Sequence, residues 1–505
     1  MITHTVLNVE INNKTMPNCI GLQLSQPIHG HHFFRIEYSG KSIESDPISL
    51  ASDSVKLVGT QVKLGFSNSK EEARVFWGVV TAVHAVGNNQ AGYTQNIIFE
   101  GYSPTILLEN GPSCHAYADM GLSEMIMVAT KAAPGNVLMV VNKPRHRDKL
   151  GYTVQYNESD FAFINRMARR FGEWLYFDGL DLVFGDKTQP TLELLYGYNL
   201  HHFDFSMNTS SVSRKFSAYG YKGNEILQGA TKTSDSSLNG MVAQAMKASE
   251  KTWQPAQAAF LHQFDDETAL KSQVDTLSRL NIQASAANRV TFTGSSSHPG
   301  LFPGAVINVK TIAPEDHREF GRYVITSINH RFRDGGNYQN QFEAVPFDVE
   351  VSPLTNTTAF PLCSPQSGKV TDNNDPQGLG RVKVRLQWQR NSTTPWLRVS
   401  TPYAGPDKGM YFIPEIGEEV VVGFENSNAE KPYVMGSLYH GKAKPESWKS
   451  EKNDIKAIRS RSGHTISLDD TDGKEMFTLS DKGGSIIQFD AKEKSLFITA
   501  SENLE

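Results

Sequence analysis

Histidine clusters are the residues of this 505-residue sequence that come nearest to a metal site. His29-Gly30-His31-His32 brings three imidazoles together, and imidazole binds several transition metals. No cysteine or carboxylate lies at a spacing that would complete a ligand set. The segment therefore predicts a surface turn with solvated histidines, and His201-His202 favours the same interpretation.

Two short motifs resemble ligand-binding loops only in part. Gly378-Leu379-Gly380-Arg381 has the glycines of a phosphate loop, but it lacks the terminal Lys-Ser or Lys-Thr and it opens a strand. Asp469-Asp470-Thr471-Asp472-Gly473 begins like a calcium loop, but the glutamate at the twelfth position is missing and no helices flank it. The first motif therefore predicts a turn, and the second predicts a hairpin corner.

A basic and aromatic stretch has residues that suit single-stranded nucleic acid. Lys383 and Arg385 precede Trp388, and such side chains bind phosphates and stack on bases. The stretch also alternates between apolar and polar residues, which predicts that Trp388 faces the core and that both cations are solvated. The whole chain has 49 Lys+Arg against 54 Asp+Glu, a net charge of -5, whereas nucleic-acid binding favours clustered positive charge. We expect no nucleic-acid binding.

Carboxylates are numerous, but the sequence singles out no Asp/Glu pair for glycoside hydrolysis. We therefore expect a chain that is not an enzyme and that has no catalytic, cofactor-binding or metal-binding residues. A cell-wall hydrolase stays an alternative that a muramidase assay would distinguish.

Length and composition indicate a globular protein of about three or four domains. Cys19, Cys114 and Cys363 lie far apart, so we expect no disulfide framework and a reducing cytoplasm. The first residues lack the basic and apolar regions of a signal peptide. The longest apolar runs, such as Val137–Val141, are about five residues, short of the roughly 18 to 20 that a spanning helix needs. Any export would use another route.

Most of the chain before residue 350 predicts strands, because runs rich in Val, Ile and Phe alternate with Gly, Asn, Ser and Pro. The predicted strands include Thr3–Ile11, Phe33–Tyr38, Val55–Phe66 and Val75–Val83. Apolar residues at helical spacing predict helices over Ser159–Phe171, Gly240–Lys251 and Asp266–Ala284. The polar segment Gly220–Asn239 predicts a long loop.

The pattern changes near residue 350. Residues 351–365 contain three prolines among Thr, Asn and Ser and predict a linker. Five short strands follow within about 80 residues, a number and spacing typical of a small barrel of the OB type. These strands are Ser367–Thr371, Gly380–Gln389, Trp396–Ser400, Glu419–Glu425 and Tyr433–Tyr439.

From Gly463 onward the chain has only short apolar couplets separated by polar corners. The couplets are Ile466/Leu468, Phe477/Leu479, Ile487/Phe489 and Leu496/Ile498, with Leu504 beginning a fifth. One chain alone could not bury strands this short, so the pattern predicts an intertwined β-prism built from several chains. We expect Ile487, Phe489, Leu496 and Ile498 to line its threefold core. Asp490, Lys492, Glu493 and Lys494 are expected at its outer corners.

Several ordered blocks of the sequence resemble a known family. In the barrel they are Asp375-Pro376-Gln377-Gly378-Leu379-Gly380-Arg381-Val382-Lys383-Val384, Trp396-Leu397-Arg398-Val399-Ser400, Phe412-Ile413-Pro414-Glu415-Ile416-Gly417-Glu418-Glu419-Val420 and Pro432-Tyr433-Val434-Met435-Gly436-Ser437-Leu438-Tyr439. Upstream they are Glu158–Ile164, Phe171–Phe177, Gly294–Val309 and Tyr323–Pro346. Together they resemble the VgrG (Rhs-element Vgr) spike family of type VI secretion systems, which is related to contractile-phage hub-spike proteins. The resemblance spans roughly the whole chain and is strongest from 150 to 445.

The resemblance implies a mainly β fold with three parts. Residues 1–350 would form a hub of β-barrel domains with a few helices, and residues 351–365 would link it to an OB-fold neck at 366–445. Residues 455–505 would start a trimeric, intertwined triple-stranded β-helix. The chain departs from the family pattern at 220–263, which looks like an insertion, and at 441–453, where a short connection replaces the lysozyme domain of the phage relative.

The resemblance also implies a mechanical function. The chain would be a homotrimeric spike that caps the tube of a contractile injection system and punctures a target membrane. Implied partners are the hexameric tube protein, baseplate subunits, a PAAR-type tip protein and effector cargo, with no cofactor. The spike would assemble in the bacterial cytoplasm and then be secreted or injected. A contractile phage or tailocin baseplate spike is the alternative, and an OB-fold nucleic-acid binder is a more distant one.

Overall fold

The computed structural model describes residues 5–39, 55–68, 74–88, 94–185, 189–211, 215–220, 225–230, 238–253, 259–264, 270–312, 318–333 and 335–503. These residues form two compact units. The first comprises the described residues up to Pro365 with Gln387–Pro395 and Gly423–Pro432. The second comprises Gln366–Leu386, Trp396–Val422 and the residues from Tyr433 onward.

The first unit is built mainly from strands. In chain order they are β1 (Val6–Ile11), β2 (Lys14–Thr15), β3 (Cys19–Pro27), β4 (Phe33–Ser39), β5 (Gln61–Ser67), β6 (Arg74–Asn88), β7 (Thr94–Tyr102), β8 (Ser113–Gly121), β9 (Met139–Asn142), β10 (Lys149–Glu158), β11 (Leu175–Phe177), β12 (Asp181–Phe184), β13 (Thr191–Tyr196), β14 (Leu200–Met207), β15 (Lys215–Gly220), β16 (Glu225–Ala230), β17 (Ala259–Phe264), β18 (Val290–Ser296), β19 (Val306–Thr311), β20 (Glu319–Arg333) and β21 (Asn337–Pro346). The helices are α1 (Leu122–Thr130), α2 (Asp160–Phe171), α3 (Gly240–Thr252) and α4 (Leu270–Ala287). The prediction of a mainly β fold is confirmed.

One long sheet organises this unit. Its strand order is β19-β13-β14-β18-β21-β20-β3-β4-β7-β6-β5-β1-β2, and β19 also pairs with β20, so the six strands from β19 to β20 close into a barrel. The two halves of the sheet meet where β20 pairs with β3, from Ser327 opposite Pro27 to Arg333 opposite Gly21. The sheet is therefore continuous from the N-terminal strands into the barrel.

Strict alternation along the strands fills the core. In β4 the side chains of Phe34, Ile36 and Tyr38 are fully buried, while the intervening residues are half-exposed. The Phe34 ring packs against Gly101, where only glycine fits. A Cβ at Gly101 would lie 2.5 Å from the Phe34 ring and 2.0 Å from the Val79 carbonyl oxygen. Sequence alternation thus sets which face of each strand is dry, and glycine makes room for the aromatic rings.

The predicted helices are largely confirmed. Helix α2 begins after Ser159, whose hydroxyl accepts a hydrogen bond from the Ala162 N–H at 3.1 Å, and ends at Gly172 in the left-handed conformation, with φ of 68°. Helix α3 matches its predicted range closely, and α4 ends at Ala287, past the predicted Ala284. Helix α1 was not predicted. No described helix combines the length and the hydropathy that a membrane span requires.

Three elements differ from the sequence prediction. The predicted loop 220–239 is wrong at Glu225–Ala230, because β16 pairs antiparallel with β15 there; residues 221–224 and 231–237 lie outside the described part. The predicted strand Val55–Phe66 begins only at Gln61. Residues 351–365, predicted to be a linker, lie in the first unit, and Val351, Ser352 and Cys363 are buried. No disulfide links the three cysteines of the chain.

The predicted solvated turn at His29–His32 is wrong. His29 and His32 are buried and His31 is half-buried. His29 Nδ1 donates to Asn165 Oδ1 at 3.0 Å, and the Ser352 hydroxyl donates to His29 Nε2 at 2.8 Å. Short-range sequence patterns miss this arrangement, because the partners are 136 and 323 residues away. His201 and His202, by contrast, are exposed as predicted, but they lie on strand β14 and not in a turn.

A second group of buried histidines joins the two halves of the long sheet. His330 Nε2 donates to Gln26 Oε1 at 2.9 Å, and the Tyr338 hydroxyl donates to His330 Nδ1. The Gln26 amide donates in turn to His32 Nδ1 at 3.0 Å. Removal from water lowers the pKa of His29 to about 4 and the pKa values of His32 and His330 to about 3. All three side chains are therefore neutral at physiological pH.

The second unit contains the remaining strands. They are β22 (Gln366–Asp372), β23 (Lys383–Leu386), β24 (Ala404–Gly405), β25 (Lys408–Gly409), β26 (Glu419–Phe424), β27 (Pro432–Ser437), β28 (Ile455–Arg459), β29 (Thr465–Asp469), β30 (Met476–Ser480), β31 (Ile486–Asp490) and β32 (Ser495–Thr499). Strands β23, β22, β26 and β27 form one sheet in that order. The predicted strand Trp396–Ser400 is present as two isolated bridges, Leu397 with Val382 and Val399 with Val434.

The Gly378–Arg381 motif is a turn, as predicted. The Asp375 carboxylate accepts hydrogen bonds from the Leu379 N–H at 2.9 Å and from Arg381 Nε and Nη2 at 2.9 and 2.7 Å. The Arg381 guanidinium holds the pKa of Asp375 well below its usual range, and backbone N–H groups add to the effect. This carboxylate therefore fixes the turn that leads into β23.

The predicted alternation of buried and exposed residues does not reach Trp388, because the strand ends two residues before it. Val382, Val384 and Leu386 are buried, but β23 ends at Leu386. Trp388 follows in a turn assigned to the first unit, half-buried, with its ring 6.0 Å from that of Tyr156.

We expect acid to destabilise the first unit through its buried histidines. Their folded-state pKa values lie below the ordinary 6.5, so the unfolded chain binds more protons and stability falls as pH decreases from 6.5 toward 4. Each such histidine costs about 2 kcal/mol at about pH 5. The measurement is urea unfolding of the first unit at about pH 7 and about pH 5, on the parent and on His330→Gln.

The His330→Gln variant should lose about 2 kcal/mol of this pH-dependent difference, whatever its stability at neutral pH. His464→Gln serves as the control, because His464 lies in the second unit. An unchanged pH dependence in His330→Gln would contradict the assignment.

Asp375→Ala should destabilise the barrel of the second unit by about 3–5 kcal/mol, since it breaks a buried ion pair. Asp375→Asn keeps the shape of the side chain and one accepting oxygen, so it should lose less stability than Asp375→Ala. Urea unfolding gives the comparison, with Asp472→Ala as an exposed control of the same unit expected to change stability by less than about 0.5 kcal/mol. Equal midpoints for Asp375→Ala and Asp472→Ala would refute the role of the carboxylate.

Candidate functional site

The C-terminal sheet exposes many large apolar side chains to solvent. Strands β28 to β32 pair antiparallel, each with its chain neighbour, and form a five-stranded sheet in sequence order. Each strand has five residues, so each contributes two or three side chains to a face. The sheet is too narrow to enclose a core by itself.

The strand register lines up apolar side chains into two columns. Residues directly opposite each other in an antiparallel pair lie on the same face. One column contains Ile458, Ile466, Leu479, Ile487 and Ile498. The other contains Leu468, Phe477, Phe489 and Leu496, with Lys456 in its first position. The columns run side by side across the whole sheet and form its apolar face.

This apolar face is open in the single chain. The exposed fractions are 38% for Ile487, 46% for Phe489, 55% for Leu496 and 46% for Ile498. The Phe477 and Phe489 rings contact each other with centroids 5.6 Å apart, but the described residues place no second layer over them. Contiguous exposed apolar surface of this kind marks an interaction site.

The opposite face of the sheet is mostly polar. Its central row is Ala457, Ser467, Thr478, Gln488 and Phe497. The apolar and polar faces therefore differ in the way expected of a sheet with one dry side. Apolar residues on this face are Phe497 in the central row and Ile455, Met476 and Ile486 in the flanking rows. Phe497 is 57% exposed, and the couplet pattern gave no sign of it.

Three of the four corners between the strands are held by carboxylates, and the first is held by the Ser460 hydroxyl. Asp469 Oδ1 accepts from the Thr471 hydroxyl and N–H at 2.5 and 2.9 Å, and these bonds lower the pKa of Asp469. The Ser485 N–H donates to Asp481 at 2.8 Å and lowers the pKa of that carboxyl. Asp490 Oδ1 accepts from the Glu493 N–H at 2.9 Å in the next corner. The predicted hairpin corner at 469–473 is confirmed, and Lys492, Glu493 and Lys494 are exposed in theirs.

The structure brings Ile487, Phe489, Leu496 and Ile498 together on one face, with Ile487 opposite Ile498 and Phe489 opposite Leu496. Their place on a threefold axis stays a prediction. The repeat that the sequence predicts begins at Gly463 and leaves out β28, whose Ile458 continues the first column. In β28 the first position of the apolar couplet is Lys456, so only the second position, Ile458, is apolar.

Chemically, this site can bury apolar surface and pair strands. Strands β28 and β32 each have one neighbour within the described sheet, so both edges have unpaired backbone groups. Among the described residues, no group of three or more His, Cys, Asp and Glu side chains could hold a metal ion. The arrangement thus points to association with other sheets.

Two protein families match the chain. The family described as Phage tail baseplate hub (GPD) matches residues 45–336. The family described as Type VI secretion system/phage-baseplate injector OB domain matches residues 366–439, which include β22 to β27.

Curated relatives show low but extended similarity. The actin cross-linking toxin VgrG1 of Vibrio cholerae is 25% identical over 373 residues, which cover 65% of this chain and 32% of that protein. The type VI secretion system spike protein VgrG1b of Pseudomonas aeruginosa is 23% identical over 426 residues, covering 76% of this chain and 54% of that protein. The chain thus spans between about a third and about half of the length of these relatives.

Two solved structures share the fold. The E. coli c3393 protein, a type VI secretion component with structural similarity to T4 bacteriophage tail proteins gp27 and gp5, has a TM-score of 0.55 at 14% identity. The match covers 85% of this chain and 99% of that one. The lidded PdpA-VgrG complex of Francisella gives a TM-score of 0.59 at 8% identity, covering 99% of this chain and 80% of the other.

Phe489→Asp should prevent association through the apolar face, while Lys492→Asp should leave it unchanged. Burial of a phenylalanine gains about 1.5–3 kcal/mol, whereas a buried carboxylate without a partner is strongly unfavourable. The measurement is molar mass and protease resistance of both variants beside the parent. Lys492 is the matched control, because it lies three residues away in an exposed corner. Association of both variants like the parent would show that the register is wrong.

Proposed function

This chain belongs to the phage tail baseplate hub family, and from that membership we propose that it forms the spike of a contractile injection system. The proposed spike caps the tube and punctures a target membrane mechanically. Type VI secretion is the favoured system, since the curated relatives with long matches are type VI spike proteins. The first unit would serve as the hub, the barrel at 366–445 as the neck, and residues 455–505 as the start of the needle.

The observation that carries the proposal is the open apolar face of the C-terminal sheet. Ile487, Phe489, Leu496 and Ile498 are each more than one-third exposed, and covering the exposed part of each would gain roughly 1 kcal/mol. The sheet also carries an opposite polar face, so cover on one side only is required. Identical copies supply such cover without any further protein, because their apolar columns have the same length and spacing.

We propose three copies because three sheets can satisfy both the faces and the edges. Two sheets packed face to face would bury the columns but would leave β28 and β32 of each sheet as unpaired edges. Three sheets around an axis enclose one apolar core and let the first strand of one sheet approach the last strand of the next. The resulting prism has few open edges, and its unfolding is coupled to dissociation of the trimer.

Three copies would also fit the hub arrangement that the resemblance to the family implies. Two similar barrels per chain, in three chains, give a pseudo-sixfold ring that matches a hexameric tube. The long sheet supports this proposal, since it has two halves joined where β3 pairs with β20. The tube protein, baseplate subunits, a PAAR-type tip protein and effector cargo are the proposed partners. A contractile phage or tailocin spike would need the same surfaces.

We propose a mechanical and not an enzymatic role for the described residues. One relative is named as an actin cross-linking toxin, but this chain matches only 32% of that protein, so its activity is not carried over. The proposed route is assembly in the bacterial cytoplasm followed by secretion through the injection system.

Light scattering coupled to gel filtration tests the assembly. The parent chain should have three times the monomer mass of 56.0 kDa at micromolar concentration, because the apolar face is covered only in the trimer. Electron-microscopy class averages should show threefold symmetry. A monomer mass that persists in a version with a longer needle would contradict the proposal, and a stable dimer would contradict the threefold arrangement.

A further inference from the structure

A groove of about 410 Å³ lies on the outer face of the long sheet, over β20, β3 and β4. Its volume falls within the range of about 300–1,000 Å³ that is common for ligand sites. The floor is open at Gly21, where no side chain projects, and the rim carries Arg35, Arg331 and Arg333. The core lies on the other side of β4, where Phe34 and Ile36 are fully buried.

The strand register places the charged side chains in two adjacent rows. Arg331 lies opposite Gln23, and Gln23 lies opposite Arg35. In the next row Arg333 lies opposite Gly21, which lies opposite Glu37. Arg331 and Arg333 are two positions apart on β20, so both guanidinium groups stand on the same face of the sheet.

The arginines of the groove are not equally compensated. Arg35 forms an ion pair with Glu100, and Glu37 accepts a hydrogen bond from Asn96 Nδ2 at 2.8 Å. Arg331 and Arg333 are exposed and form no ion pair with any residue that the structure describes. The groove therefore has two uncompensated guanidinium groups against one carboxylate, Glu37. Guanidinium groups bind carboxylates through paired hydrogen bonds, which favours an anionic ligand.

We propose that this groove binds an extended, acidic segment of a partner protein. Along the groove β20 lies between β21 and β3, and β3 lies between β20 and β4, so their backbone groups are occupied and recognition must use side chains. A nucleic acid fits less well, since its affinity comes from many phosphate contacts, whereas here two cations stand beside Glu37 and Glu100. Acidic side chains alternating along an extended peptide would match the two arginines on alternate positions of β20.

Fluorescence anisotropy on the full chain tests the proposal. The probe is a fluorescein-labelled peptide of alternating Asp and Val, compared with the same peptide carrying Asn for Asp. The Asp peptide should bind at low salt and lose at least about tenfold in affinity at roughly 0.3 M NaCl, as expected for charge attraction. The Asn peptide should bind at least about tenfold more weakly than the Asp peptide.

Two variants make the test specific. Gln23→Glu places a carboxylate directly opposite both Arg331 and Arg35, so it should compete with the peptide and weaken binding at least about tenfold. Its melting temperature should not fall, which separates lost binding from misfolding. Arg331→Glu combined with Arg333→Glu should abolish binding. Arg147→Glu with Lys149→Glu is the matched control, since both residues are exposed elsewhere on the first unit, and it should bind like the parent.

Three outcomes would overturn the proposal: no preference of the parent for the Asp peptide, unchanged binding by Gln23→Glu, or equal binding of a single-stranded DNA of the same charge. The groove lies in the first unit, far in sequence from the columns at 458–498. The mass measured for Gln23→Glu therefore reports the spike assembly separately from the groove.

Discussion

An apolar sheet face must be covered, and this requirement decides which sheets are covered by the same chain and which face the proposed trimer would cover. In the first unit the strands from β19 to β20 close into a barrel, so the sheet covers its own inner face. Helix α2 adds its buried stripe of Phe161, Ile164 and Met167 to the core of the N-terminal half. The five-stranded sheet at the C-terminus has neither closure nor a helix across its apolar face in the described residues. The same hydrophobic effect that stabilises the fold of the first unit would stabilise association of the second unit in the proposed trimer.

The core of the first unit is not purely apolar. Gln26, His32, His330 and Tyr338 form a chain of hydrogen bonds at the place where β3 and β20 join the two halves of the sheet. A buried polar group is costly unless it is paired, so this chain of bonds stabilises the native pairing and penalises a shifted register. A one-residue slip between β3 and β20 would place the Gln26 and His330 side chains on opposite faces of the sheet and break the hydrogen bond between them. The polar network thus specifies how the two halves meet.

Much of the fold could be predicted from the sequence, because it depends on local signals. The capping serine and terminal glycine of α2, the turn around Asp375 and the couplets of β29 to β32 are all set within a few residues. The errors fall where distant contacts decide. His29 looked solvated because Asn165 and Ser352 are remote in sequence, and β16 looked like a loop because β15 supplies its hydrogen bonds. For the candidate site, the spacing gave the shared face of Ile487 and Phe489 but not the column that begins at Ile458.

The pairing of each C-terminal strand with its chain neighbour has a consequence for how such a structure can change in length. Every hydrogen-bonded ladder from β28 to β32 connects consecutive strands. Three of the four corners are closed by a carboxylate within the same few residues, and the corner between β28 and β29 is closed by the Ser460 hydroxyl. One strand and one corner therefore form a module that contains its own turn and its own contribution to the two columns. Gain or loss of a module at the far edge leaves the earlier ladders intact, since none of them spans more than one corner. Evolution can thus adjust the reach of the sheet in steps without redesigning the barrel that precedes it.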